Sequence, residues 1–143
     1  MLTTPQSKTH IVITGASGAI GGALALEYAA PGVRLRLQGR EQQQLDALAL
    51  RCQKAGAETH CDAFDLRNTA KLQAWISDIC AESVPDLLIA NAGMNIDIGA
   101  DSSGESDLEI EALLDLNIKS TLLLVNPIAK AMRQRGTGQI ALI

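Results

Sequence analysis

The chain of 143 residues carries a net charge of −4 and is 47% hydrophobic and 20% charged, a composition typical of one soluble globular domain over residues 1–143. With one tryptophan, one tyrosine, one phenylalanine and no cluster of lysine and arginine, it lacks the aromatic platform and basic surface of a nucleic-acid-binding protein. No apolar run approaches the roughly 20 residues that span a bilayer, so we expect no membrane association.

Short apolar segments alternate with amphipathic segments along the first half of the chain. The segment HIVITG predicts a buried first strand, and residues 19–30 predict a helix that Pro31 ends. The segment VRLRLQ alternates apolar and basic residues, which predicts a second strand with one solvent-facing side or an edge position. A helix with Leu45, Leu48 and Cys52 on its buried stripe should follow, and ETHCDAF predicts a weaker third strand.

The second half continues the same alternation. The segment NTAKLQAWISDICAE has helical spacing, DLLIANAG predicts a short buried fourth strand, and a polar loop runs through Gly104. Ser106 and Glu109 have the spacing of a capping box, which opens a long helical segment that Pro127 should kink or divide. The segment GQIALI predicts a fifth strand. This order predicts an α/β fold with a parallel sheet covered by helices.

The residues that could bind a metal ion are few and scattered. Cys52, Cys61 and Cys80 form no C-x-x-C pair, which argues against a zinc ribbon or a disulfide framework and predicts reduced thiols in a cytoplasmic protein. His10 and His60 are far apart in the sequence, and we expect surface or strand-edge positions for both. No metal site is predicted.

The segment ITGASGAIGG, residues 13–22, lies between the first predicted strand and the first predicted helix. A glycine-rich turn in this position presents backbone N–H groups and the positive end of the helix dipole to a phosphate. Glycine is required where a Cβ would block the approach of the phosphate or of a neighbouring strand. The segment therefore predicts a dinucleotide site. The alternative is a tight turn that only packs the helix closely on the sheet.

The glycines fit two registers. Gly15, Gly18 and Gly21 spell G-x-x-G-x-x-G, which resembles the extended branch of the short-chain dehydrogenase/reductase family, the sugar epimerases and dehydratases. Thr14, Gly15, Ala19 and Gly21 spell T-G-x-x-x-[A/G]-x-G, which resembles the classical branch of that family. In the classical register, Gly18 is an ordinary loop position and Ala19 occupies the central glycine site.

Three further motifs resemble the family, and the first of them favours its classical branch. The tripeptide NAG at residues 91–93 resembles the motif that ends the fourth strand of classical members. The segment LLDLNIKSTLLLVNPIAKAM resembles the helix of the family that carries an asparagine, so Asn117 is the implied catalytic residue that kinks the helix and relays protons. Asp65 and Leu66, in AFDL, resemble the pair that contacts the adenine.

The resemblance covers residues 9–143 and implies a Rossmann-type doubly wound parallel sheet. Five strands in the order 3-2-1-4-5 would be present, whereas the C-terminal strands and helices of the family would be missing. The whole chain is then one truncated dinucleotide-binding domain. The implied cofactor-binding residues are Gly15, Ser17, Gly18, Ala19, Ile20, Gly21, Gly39, Arg40, Asp65, Leu66, Asn91, Ala92 and Gly93.

The end of the second strand indicates which cofactor is preferred. An NAD enzyme has Asp or Glu there to bind the ribose hydroxyls, but this chain has Gly39 followed by Arg40. Without a carboxylate a 2′-phosphate is not repelled, and a guanidinium can bind it with paired hydrogen bonds. We therefore expect NADP(H), while NAD(H) stays possible if Glu41 binds the ribose instead.

The resemblance implies an oxidoreductase that acts on a small carbonyl or alcohol substrate, and a homo-oligomer at full length. The serine, tyrosine and lysine that catalyse the reaction in the family have no counterpart here, because Tyr28 is not followed by lysine four residues later and the sequence reaches Ile143 before the serine position. We therefore expect no turnover from these 143 residues alone. The alternatives are a non-catalytic dinucleotide-binding sensor or scaffold and an extended-branch epimerase or dehydratase.

Overall fold

A computed structural model describes residues 8–96 and 104–143. Strands and helices alternate along these residues, and the strands form one parallel sheet in the order β3-β2-β1-β4-β5. The predicted doubly wound fold and strand order are confirmed. The elements in chain order are β1 (Thr9–Ile13), α1 (Ala19–Tyr28), β2 (Val33–Gly39), α2 (Gln42–Lys54), β3 (Glu58–Ala63), α3 (Thr69–Glu82), β4 (Leu87–Ala90), α4 (Asp107–Leu114), a π-helical turn (Asp115–Ser120), α5 (Thr121–Arg135) and β5 (Gln139–Leu142).

Both faces of the sheet are covered by helices, so the central strands contain nearly continuous apolar runs. Successive side chains of a strand point to opposite faces, and β1 therefore contributes to two cores. Ile11 and Ile13 pack with residues of α1 and α2, while Val12 packs with residues of α3 and α5. Trp75 is buried in the second core, at the helical stripe that the sequence indicates.

The second strand differs from its prediction. β2 lies between β1 and β3, so it is not an edge strand. Its basic face is also not exposed to solvent, because the Arg36 side chain is only 4% exposed. Arg36 Nε lies 2.8 Å from Asp62 Oδ2, its Nη2 lies 2.6 Å from Asp78 Oδ2, and Arg34 Nη1 lies 2.5 Å from Glu82 Oε1. The alternating polar residues of β2 thus form a row in which Arg36 and Gln38 are buried and Arg34 is partly exposed, and each charge has a partner.

His10 is also placed differently from its prediction. The residue is 1% exposed in β1, whereas the sequence predicts a surface or edge position. Its Nδ1 lies 2.9 Å from the Ser83 carbonyl oxygen and 2.8 Å from the Ser83 hydroxyl oxygen. Its Nε2 is buried and has no hydrogen-bond partner in the described part of the chain. Burial accordingly lowers the pKa of His10, because a charged imidazole would bury an unpaired N–H group.

This buried histidine predicts a loss of stability in weak acid. A folded-state pKa below the unfolded value of about 6.5 means that the unfolded chain binds the proton more tightly, so stability falls as the pH drops below about 6.5. We expect urea unfolding between pH 7.5 and pH 5.5 to show this loss, and His10→Asn to reduce it. His60→Asn is the matched control, because it removes an exposed imidazole. Equal pH slopes for wild type and His10→Asn would disprove the assignment.

The C-terminal helical segment begins as the sequence predicts. Ser106 Oγ accepts from the Glu109 backbone N–H while the Glu109 carboxylate accepts from the Ser106 N–H, so the capping box is confirmed. Pro127 does not divide the helix, because α5 continues through it and buries Leu124 and Ile128 on either side. The departure from α-helical geometry lies earlier in this segment, in the π-helical turn. Of the polar loop predicted through Gly104, residues 97–103 lie outside the described residues.

Candidate cofactor-binding site

A cavity of about 360 Å³ lies at the carboxyl ends of the parallel strands. Its walls come from the turn after β1, the end of β2, the loop after β3, the NAG tripeptide and the π-helical turn. Every predicted cofactor residue except Gly21 lines this cavity, and Gln38 and Leu116 line it in addition. The lining residues are Gly15, Ser17, Gly18, Ala19, Ile20, Gln38, Gly39, Arg40, Asp65, Leu66, Asn91, Ala92, Gly93 and Leu116.

Two of the glycines after β1 are required by the close approach of other backbone segments. Gly15 has φ +63°, and a Cβ there would lie 2.9 Å from Ala92 Cα. Gly21 lies behind the cavity, and a Cβ there would lie 2.3 Å from the Gly15 carbonyl oxygen. Gly18 has φ −80°, and its Cβ would meet only the Gly15 oxygen, at 3.3 Å. This pattern agrees with the classical register, in which Gly15 and Gly21 are fixed and Gly18 is an ordinary loop position.

The N-terminus of α1 presents open backbone N–H groups at the cavity. The first hydrogen bond of the helix runs from the Gly22 N–H to the Gly18 carbonyl, at 2.9 Å. The N–H groups of Ala19, Ile20 and Gly21 precede it and have no carbonyl acceptor among residues 8–96 and 104–143. No side chain caps this end. Such an end carries roughly half a positive charge, so it can bind an anion.

The NAG tripeptide is fixed to the turn after β1 by a set of hydrogen bonds. Thr14 Oγ1 accepts from the Asn91 N–H at 3.0 Å and from the Ala92 N–H at 3.1 Å. Asn91 Nδ2 donates to the carbonyl oxygens of Thr14, at 3.2 Å, and Gly15, at 3.3 Å. The ends of β1 and β4 are therefore held together, and the tripeptide forms a rigid wall of the cavity.

The end of β2 is closely packed, so a side chain at position 39 would require Ser17 or Leu45 to move. A Cβ at Gly39 would lie 2.7 Å from Ser17 Oγ and 3.1 Å from Leu45 Cδ2. Arg40 follows at the rim, and no carboxylate of the described residues forms an ion pair with its guanidinium. Glu41 is the N-cap residue of α2 and does not line the cavity. At the end of β2, the Arg40 guanidinium is therefore available to a ligand in the cavity, whereas the Glu41 carboxylate is not.

Asp65 lies in the loop after β3, the strand next to β2, and is hydrogen-bonded by Arg67. The Arg67 Nη2 lies 2.6 Å from Asp65 Oδ2, and the Arg67 backbone N–H donates to Asp65 Oδ1 at 2.9 Å. The hydrogen bonds from Arg67 hold the pKa of Asp65 below its ordinary value. The carboxylate is thus ionised and fixed in orientation, which suits an acceptor of a hydrogen bond.

Asn117 lies in the π-helical turn and holds the backbone of Met94. Its Oδ1 accepts from the Met94 N–H and its Nδ2 donates to the Met94 carbonyl, both at 2.8 Å. It lines a neighbouring cavity of about 320 Å³, which shares Ala92 and Gly93 with the first one. Tyr28 is the last residue of α1 and lines neither cavity. The proton-relay role of Asn117 stays a prediction.

Comparison with known proteins agrees with this geometry. The family model described as short chain dehydrogenase matches residues 9–143. The chain belongs to the short-chain dehydrogenase/reductase family. The chain is 33% identical over 137 residues to an uncharacterized short-chain type dehydrogenase/reductase of Sinorhizobium fredii, with 95% of this chain and 51% of that protein covered.

Two solved structures of the family superpose closely. A short-chain dehydrogenase from Sphingobium yanoikuyae in complex with NADPH has a TM-score of 0.84 and 33% identity, over 93% of this chain and 52% of that one. A metagenomic short-chain oxidoreductase in complex with NADP has a TM-score of 0.85 and 30% identity, over 95% and 62%. The chain thus spans about half the length of the curated relatives that it matches.

The sequence patterns do not reveal two residues that line the cavity. Gln38 is 2% exposed, although glutamine is rarely buried. Its position as the last polar residue of the β2 alternation, directly before Gly39, is the signal that could have found it. Leu116 has no such signal, because its position depends on the π-helical turn. Metal ligands do not cluster anywhere in the described ranges, and no helix there is long and apolar enough to cross a membrane.

Proposed function

We propose that this chain binds NADP(H) in the 360 Å³ cavity and forms the cofactor-binding part of an oxidoreductase acting on a carbonyl or alcohol. One observation carries the proposal. The open N-terminus of α1 and the cationic end of β2 face the same cavity, so one ligand with phosphates at two places can contact both. NADP(H) is such a ligand.

The pyrophosphate is assigned to the N-terminus of α1. The free N–H groups of Ala19, Ile20 and Gly21 point out of the helix end, and Gly15 and Gly18 have no side chains that would obstruct the approach. The turn after β1 is held by Thr14 and Asn91, so these donors are in place before a ligand binds. Pre-organised donors bind an anion without an additional ordering cost.

The 2′-phosphate is assigned to Arg40 and Ser17. The hydroxyl of Ser17 lies beside Gly39, where an NAD enzyme would have its carboxylate, and it can donate to a phosphate oxygen. Arg40 adds a guanidinium that has no ion-pair partner among the described residues. Asp65, after the neighbouring strand β3, supplies a fixed carboxylate acceptor for the adenine amino group.

When bound, the cofactor supplies or accepts the hydride that interconverts a carbonyl and an alcohol. The residues of this chain orient it. Asn117 fixes the Met94 backbone beside the neighbouring cavity, which Ala92 and Gly93 connect to the cofactor cavity. We assign the nicotinamide end to this junction. The relatives described above as complexes with NADP and NADPH support the assignment of the cofactor.

Titration of the chain with NADPH and NADH tests the proposal. We expect wild type to prefer NADPH, and Arg40→Ala to raise the Kd for NADPH about 10- to 100-fold, because a charge-assisted hydrogen bond contributes about 1.5–3 kcal/mol. The Kd for NADH should change little. Isothermal titration calorimetry or nucleotide fluorescence measures both values.

Arg133→Ala is the control, because it removes the same charge at an exposed position near the end of α5. It should leave both affinities unchanged. An unchanged ratio of NADPH to NADH affinity in Arg40→Ala would reject the role of Arg40. A wild-type chain that binds neither nucleotide would reject the proposed function itself.

A further inference from the structure

Gln38 connects two walls of the cavity through its side-chain amide. Its Oε1 accepts from the Gly15 N–H at 3.3 Å, and its Nε2 donates to the Phe64 carbonyl oxygen at 2.8 Å. Gly15 belongs to the turn before α1, whereas Phe64 begins the loop that contains Asp65. One buried side chain is therefore hydrogen-bonded to the two segments assigned to the pyrophosphate and the adenine. We name this pair of hydrogen bonds the Gln38 bridge.

The backbone around Gln38 strengthens the same connection. The Gln38 carbonyl accepts from the Ala16 N–H at 2.8 Å, so two consecutive N–H groups of the turn after β1 bind the same residue. On the other side, the Phe64 N–H donates to the Gly39 carbonyl at 2.9 Å. These bonds continue the sheet beyond the last paired residues of β1 and β3, at the edge of the cavity. The N–H groups of Gly15 and Ala16 are consequently hydrogen-bonded to Gln38. Contacts with a phosphate are therefore left to the N–H groups at the start of α1.

The side-chain amide satisfies both ends of the bridge, because it has an acceptor and a donor. The Gly15 N–H requires an acceptor and the Phe64 carbonyl requires a donor, so a carboxylate or an ammonium could satisfy only one of them. The side chain is 2% exposed, and water therefore has little access to replace a missing bond. An unpaired polar group in such a position is costly, so both hydrogen bonds of the bridge are kept. Because both are kept, the distance between the Gly15 N–H and the Phe64 carbonyl is fixed.

We propose that Gln38 is a positioning residue for cofactor binding, which sets the spacing between the turn after β1 and the loop after β3. The inference rests on the proposed function, because its consequence is a higher affinity for a nucleotide that spans both walls. Gln38 does not touch the ligand in this role. It acts through Gly15 on the turn and through Phe64 on the loop that carries Asp65.

Gln38→Met tests the bridge, because methionine has a similar length but provides neither hydrogen bond. We expect the Kd for NADPH to rise about tenfold, as one lost hydrogen bond of ordinary strength would produce. In Gln38→Met, the ratio of the deuterium exchange rate of the Gly15 N–H to that of the Val12 N–H should be higher than in wild type. Val12 is the reference because it lies in β1 but has no contact with the bridge. A uniform change at both amides would indicate a general loss of stability and would overturn the inference.

Two further variants make the result decisive. Gln38→Asn keeps the amide but is one methylene shorter, so it should also weaken NADPH binding if Gln38→Met does not fold. Gln73→Met makes the same change as the test variant at an exposed position of α3 and should leave NADPH affinity and Gly15 exchange unchanged.

The outcomes separate this inference from the proposed function. Tight NADPH binding by wild type with equal affinity in both Gln38 variants overturns the inference alone. A wild-type chain that does not bind NADPH overturns the proposed function and the role of Gln38 in affinity together. Unchanged Gly15 exchange in Gln38→Met overturns the bridge whether or not a nucleotide binds.

Discussion

Gly21→Ala is expected to lower the free energy of unfolding by about 1–3 kcal/mol, the usual range for an overpacked buried site. Alanine normally stabilises a helix interior by about 1 kcal/mol relative to glycine, so the expected sign reverses the intrinsic preference. The reason is steric, because the new Cβ would lie 2.3 Å from the Gly15 oxygen, 2.8 Å from Asn91 Nδ2 and 2.9 Å from Ala16 Cα. Urea unfolding measures the change.

The same variant should weaken NADPH binding, because relief of the collision moves the N-terminus of α1 away from the turn. Gly22→Ala is the matched control in the same helix. Its Cβ would approach the Ala16 oxygen at 3.3 Å and nothing more closely, so we expect a change within about 1 kcal/mol. Equal stability of Gly21→Ala and wild type would show that the close approach of helix and turn does not constrain position 21.

Arg36→Met is expected to cost about 3 kcal/mol at neutral pH, because removal of one partner leaves the other charge of a buried pair uncompensated. Burial tends to raise the pKa of Asp62, but the hydrogen bonds from Arg36 and Trp75, together with the charges of Arg36 and His60, hold it below its ordinary value. Removal of Arg36 takes away two of these causes, so the pKa of Asp62 should rise. The deficit should therefore shrink as the pH falls towards 5 and Asp62 becomes protonated.

Two comparisons identify the source of this loss. Arg36→Met combined with Asp62→Leu should recover most of the stability, since an apolar pair can replace a buried ion pair without an unpaired charge. Arg34→Met removes a more exposed ion pair with Glu82 and should change stability by about 1 kcal/mol or less. A loss in Arg34→Met as large as that in Arg36→Met would contradict the dependence on burial. Denaturant unfolding at several pH values provides all the comparisons.

Features specified by neighbouring residues could be predicted from the sequence. The capping box depends on Ser106 and Glu109, which are three positions apart, and the structure contains it. The glycine pattern predicted a strand, a turn and a helix because Gly15 and Gly21 allow contacts that any side chain would prevent. The alternation of strands and helices then leads to the observed strand order through the general rules for parallel sheets.

Features that depend on distant partners could not be predicted in the same way. The basic residues of VRLRLQ indicate an exposed face, but Asp62, Asp78 and Glu82 arrive from later segments and allow Arg36 to be buried. His10 can be buried because Ser83, 73 positions away, is within hydrogen-bond distance of its Nδ1. The burial of Gln38 also depends on distant residues, since its hydrogen-bond partners lie both before and after it in the chain.

The polar row of β2 has a consequence for how the chain folds. Arg34, Arg36 and Gln38 share one face of the strand, while Leu35 and Leu37 share the other and pack with α1 and α2. A slip of one residue in pairing with β1 or β3 would turn the guanidiniums into the apolar layer and the leucines towards the carboxylates of α3. Misregistered sheets would therefore carry a large energetic penalty, and the row selects one alignment of the strands at whose ends the cavity forms.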